Sequence, residues 1–137
     1  RGRTWYLRKT NTTGIADLSF SYGDPGDIPV TGDWDANGTD TVGVVRGRTW
    51  YLRKTNTTGI ADLSFSYGDP GDIPVTGDWD ANGTDTVGVK RGGVWYLRNR
   101  NTTGVADLDL HYGDPGDVPV TGDWDANGTD SVGVVRG

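Results

Sequence analysis

The chain repeats itself. Arg1–Val45 and Arg46–Lys90 differ only at their last position, Val45 against Lys90, and Arg91–Val135 is a third copy with ten differences. A 45-residue period falls in the range of solenoids, propellers and arrays, in which one unit buries its apolar face only against its neighbours. Arg136-Gly137 opens a fourth copy and the first residue is Arg, which reads as a segment excised from a longer array. With 33% apolar residues and 23 glycines among 137, the composition alone resembles that of a disordered chain. The repeat argues otherwise. Six Trp and six Tyr recur at fixed positions and supply the large apolar area that a core requires.

Each period holds four short strand signals. In the first copy these are Thr4–Arg8, Asp17–Tyr22, Ile28–Gly32 and Thr41–Val45, with alternating or β-branched patterns. Turn residues separate them. "DPGD" at Asp24–Asp27 suits a type II turn, and "NTTG" and "DANG" close the other connections. No segment shows a 3.6-residue apolar period. Four antiparallel strands in about 45 residues make one blade of a β-propeller, the fold class expected here; a β-solenoid is the alternative. If the innermost strand follows "DPGD", the blades are 28–72 and 73–117, and a third is split between 118–137 and 1–27. Three blades are too few to close a ring, yet the two ends are complementary. Head-to-tail association with other copies, as a ring or a fibre, is therefore expected.

The loop "DWDANGTDT" (Asp33–Thr41) recurs in every copy. Asp33, Asp35, Asn37, Thr39 and Thr41 occupy alternate positions around Gly38. The equivalent sets are Asp78, Asp80, Asn82, Thr84 and Thr86, then Asp123, Asp125, Asn127, Thr129 and Ser131. Oxygens spaced this way can surround one hard cation, and calcium suits them best. The competing reading, and the favoured one, is a metal-free turn in which Asp and Asn bond nearby amides.

"DWDANGTDTVGV" followed by the strand "TWYLR" resembles the FG-GAP-like repeats, including the VCBS-type repeats of bacterial surface proteins. The same blade type builds the integrin α-chain propeller and some fungal lectins. The resemblance covers all three copies. It implies a propeller, an extracellular or cell-surface setting, and calcium held by Asp-x-Asp-x-Asp-Gly-x-x-Asp. Asp33 and Asp35 match that pattern. Asn37 replaces its third Asp, and Thr41, or Ser131 in the third copy, replaces its final acid, while Asp40 lies one residue early. A WD40 reading of Trp34-Asp35 lacks its Gly-His partner.

Other features are weaker. Trp5, Trp50 and Trp95 are expected in the core with Leu7, Leu52 and Leu97. Trp34, Trp79 and Trp124, beside a polar loop, are candidate sugar platforms, with packing the favoured role. Asn11, Asn56 and Asn101 begin Asn-Thr-Thr sequences that fit the N-glycosylation pattern. His111 is the single His and Cys is absent, so no nucleophile–base set is visible and no enzyme is expected. A net charge of −6 disfavours nucleic-acid binding, and no stretch is apolar enough to span a bilayer. The expected role is structural or adhesive, with the chain itself as partner. The alternative is a lectin-like module that binds glycans and has calcium-stabilised loops.

Overall fold

The computed structural model describes residues 3–137; Arg1 and Gly2, which belong to the expected 1–27 half-blade, lie outside them. The described residues form twelve strands and no helix. The first copy contributes β1 (Thr4–Leu7), β2 (Leu18–Ser21), β3 (Ile28–Gly32) and β4 (Thr41–Arg46). The second contributes β5 (Thr49–Leu52), β6 (Leu63–Ser66), β7 (Ile73–Gly77) and β8 (Thr86–Arg91). The third contributes β9 (Val94–Leu97), β10 (Leu108–His111), β11 (Val118–Gly122) and β12 (Ser131–Val135).

These strands make four antiparallel sheets. Two are four-stranded meanders, β3-β4-β5-β6 and β7-β8-β9-β10, and two are hairpins, β1-β2 and β11-β12. The turns explain the register. At Asp24–Asp27 the Asp27 amide donates to the Asp24 carbonyl, while the Asp27 carboxylate accepts the Asp24 amide at 2.8 Å. Gly26 sits at a φ of 92°, which an L-residue rarely adopts, as a type II turn requires. Each sheet then leaves along its first strand.

The sheets pack in chain order. β3, β7 and β11 run side by side: the Thr76 hydroxyl donates to the Thr31 carbonyl, and Thr121 to Thr76, each at 2.8 Å. Three apolar clusters fill the gaps between sheets. The largest joins Trp34, Trp50, Leu52 and Phe65 of one sheet to Val87 and Val89 of the next. Phe20, Tyr22, Val42 and Val44 fill the gap before it, and Val75, Trp79, Trp95 and Leu97 with Val132 the gap after it. Trp50, Trp95 and Leu52 have no exposed surface to speak of, as core positions should. Trp50 stacks flat against Phe65 at 6.2 Å, and Trp5 repeats the arrangement with Phe20. The backbones also approach closely. A Cβ on Gly77 would stand 2.7 Å from the Trp79 ring and 3.1 Å from the Asp130 Cβ of the following sheet, so only glycine fits.

Candidate functional site

In the acidic loop, the Asp33 carboxylate accepts the Asn37 amide at 3.1 Å and the Gly38 amide at 2.8 Å, one on each oxygen. Asn37 Oδ1 accepts the Thr39 amide. The Thr41 hydroxyl turns away into the sheet, where it donates to the Arg53 carbonyl at 2.6 Å and is buried. The second loop repeats this with Asp78, Asn82 and Thr86, and the third repeats the amide bonds with Asp123 and Asn127. The Gly128 amide, helped by its neighbours, holds the Asp123 carboxyl below the usual range. Of the five candidate calcium ligands in the first loop, Asp33 and Asn37 accept backbone amides and the Thr41 hydroxyl faces the sheet. These amide bonds form Asx-type turns, the arrangement that the metal-free reading expects.

The later counterparts of Asp40 have a role that the motif does not show. The Asp85 carboxylate accepts the Asp33 amide at 2.7 Å, and the Asp85 amide donates back to the Asp33 carbonyl at 2.9 Å. Asp130 clamps Asp78 with the same two bonds, each 2.9 Å. The acid one place early of the calcium pattern is thus a clasp between consecutive loops. Its only sequence trace is its recurrence in every copy.

Trp34 and Trp79 are 4% and 7% exposed, with their indole N–H groups turned toward the Val42 and Val87 carbonyls. Neither has a ring face free for a sugar, because the next sheet covers it. Trp124, the third expected platform, has no next sheet and is 59% exposed. The glycosylation candidates differ as well. Asn56 and Asn101 donate their side-chain amides to the Asp40 and Asp85 carbonyls at 3.2 and 3.1 Å, whereas Asn11 is exposed. The adjoining "NTTG" loops wrap an arginine. The Arg98 guanidinium donates to Thr102 Oγ1 and the Val105 carbonyl, and Arg8 and Arg53 do the same in their copies.

Two equivalent clefts open between sheets. One, of about 460 Å³, is lined by Tyr22, Asp24, Val44, Arg46, Tyr51 and Ile60. The other, of about 420 Å³, has Tyr67, Asp69, Val89, Arg91, Tyr96 and Val105. Arg46 lies 4.9 Å over the Tyr51 ring and bridges Asp24 and Asp27; Arg91 repeats this with Tyr96, Asp69 and Asp72. The Arg46 bond holds the Asp27 carboxyl below its usual range, while burial pushes the Tyr22 and Tyr67 hydroxyls up to about 12. A third cavity, of about 480 Å³, lies between β1-β2 and the following sheet, against Leu7, Leu18, Thr31, Asp40 and Val42. His111 is exposed.

No family model, no curated protein and no solved structure matches the chain.

Proposed function

We propose that the chain is a non-enzymatic repeat module of the β-propeller type with a structural or adhesive role, joining head to tail with further copies of itself. The observation that carries this reading is the stacking of like sheets, with β3, β7 and β11 side by side and the bonds between sheets recurring with the repeat. Side-by-side inner strands and a 45-residue repeat of every inter-sheet bond support the blade assignment. The extracellular or surface setting follows from the resemblance to FG-GAP-like repeats. Electron microscopy of the purified chain tests the reading: joined rings or fibres support it, and dispersed single chains refute it.

A second reading has one observation in its favour. The two inter-sheet clefts recur with the repeat and offer an aromatic wall beside an Arg–Asp pair, a setting suited to a hydroxyl-rich glycan. Binding on a glycan array that is lost in Tyr96→Ala would favour this reading, and a blank array would leave the structural role alone.

A further inference from the structure

Each acidic loop carries an Asn-Gly bond: Asn37-Gly38, Asn82-Gly83 and Asn127-Gly128. Such a bond is prone to deamidation, because a residue without a Cβ leaves its amide nitrogen unhindered. The step is an internal attack. The Gly38 nitrogen bonds to Asn37 Cγ, the Cγ–Nδ2 bond breaks, and ammonia leaves with the proton that the Gly38 amide gave up. Water then opens the succinimide ring at either carbonyl, leaving aspartate or its isomer with the backbone routed through the side chain. The bond is open to water: Asn37 and Gly38 are exposed, and a Cβ on Gly38 would meet no atom within 4 Å. The Thr39 amide donates to Asn37 Oδ1 at 2.9 Å, which polarises the carboxamide toward attack. Any restraint must therefore fall on the attacking nitrogen.

We infer that these three bonds are latent deamidation sites, and that the aspartate four residues before each asparagine holds them shut. The Gly38 amide donates to Asp33 Oδ2 at 2.8 Å, Gly83 to Asp78 at 2.9 Å and Gly128 to Asp123 at 3.0 Å. The nitrogen that must attack is thus already held by a carboxylate, in a charge-assisted bond stronger than one to a neutral acceptor. The carboxylate also opposes loss of the amide proton, because the nitrogen anion would form beside like charge. Its other oxygen takes the Asn37 amide at 3.1 Å, so the peptide groups on both sides of Asn37 are pinned. Asp33 is itself fixed. Its amide and carbonyl both bond Asp85 of the following sheet, at 2.7 and 2.9 Å, and Asp130 fixes Asp78 in the same way. The clasp between loops therefore positions the carboxylate that guards the bond. Having to break such a bond before attack slows deamidation about tenfold or more.

The test follows each asparagine by mass in mildly alkaline buffer, as the gain from exchanging NH2 for OH. Trypsin puts the three loops on separate peptides, 10–46, 55–90 and 101–136, and the first two are told apart by their ends, Val45-Arg46 against Lys90. In Asp33→Ala, Asn37 is expected to convert about tenfold faster or more, while Asn82 and Asn127 keep the parent rate and report an intact fold. Asp35→Ala removes the same charge from the loop without touching the bond to the Gly38 amide, and is expected to leave the Asn37 rate unchanged. An unchanged rate at Asn37 in Asp33→Ala overturns the inference. A slower rate overturns it too, by making the carboxylate a base for the attack. The parent chain in urea supplies an arm that needs no variant to fold. All three sites are expected to accelerate there, and equal rates with and without urea overturn the inference.

Discussion

Single residues show how the third copy diverged without losing the contact. The Arg3 guanidinium donates to the Asp27 carbonyl. Its third-copy counterpart is Gly93, and the cation comes instead from Lys90 on the neighbouring strand, where the other copies have valine. The Lys90 ammonium is buried and donates to the Asp114 and Asp117 carbonyls, each at 3.2 Å. Lys90→Met should cost about 1–3 kcal/mol in denaturant unfolding, because two carbonyls lose their donor. Asp85 makes a second prediction. Burial pushes its carboxyl up; the Asp33 amide opposes this, and the charges of Asp40, Asp130 and Asp78 add to the rise. The folded chain holds this proton more tightly than an unfolded one, which titrates at about 3.9. Its stabilising share is present below that value and is lost as pH rises through the raised one, leaving a cost at pH 7. Asp85→Asn keeps an acceptor for the Asp33 amide without the charge, so it should melt higher than the parent at pH 7. The gap should close as the pH approaches 4; a gap that widens on acidification contradicts the assignment. Asp117 acts in the opposite sense. The Arg136 bond holds it down to about 2, so its share is present above about 3.9 and is lost as pH falls through that lowered value.

At the scale of elements, turn chemistry made the strands legible. β3 runs from Ile28 to Gly32 as the alternation and the Pro-Gly turn indicate, and β1, β2 and β4 end within one residue of their expected limits. The linkers were less legible. "NTTG" reads as a free polar loop, but it closes around Arg8, a residue the pattern assigns to the end of a strand. The acidic loop was legible only as two competing readings, a calcium loop or a metal-free turn. Spacing reveals which oxygens are near, not that backbone amides reach Asp33 and Asn37 first and that Thr41 faces the sheet. Tyr67 shows how neighbouring elements are tied. Tyr67→Phe deprives the Tyr96 carbonyl of its donor across the gap and should cost about 0.5–1.5 kcal/mol in thermal or denaturant unfolding. Tyr112→Phe should leave the unfolding of a single chain unchanged, since its hydroxyl has no such partner within the chain.

For the whole molecule, identical local sequences have different surroundings, and this is what no window of the sequence conveys. Trp34, Trp79 and Trp124 lie in the same "GDWDANG" stretch, yet two are buried by a following sheet and the third is not. Trp79→Ala should cost about 3–5 kcal/mol of chain stability, as large aromatic deletions in cores do. Trp124→Ala should cost the single chain little and disrupt its association, which sedimentation at equal chain concentration would detect. Electron microscopy of the purified chain, once with calcium and once with chelator, tests head-to-tail joining most directly. The same joined assemblies, rings or fibres, are expected in both, because the acidic loops are held by their own amides. Rings that fall apart in chelator, or isolated single chains in either condition, would contradict it.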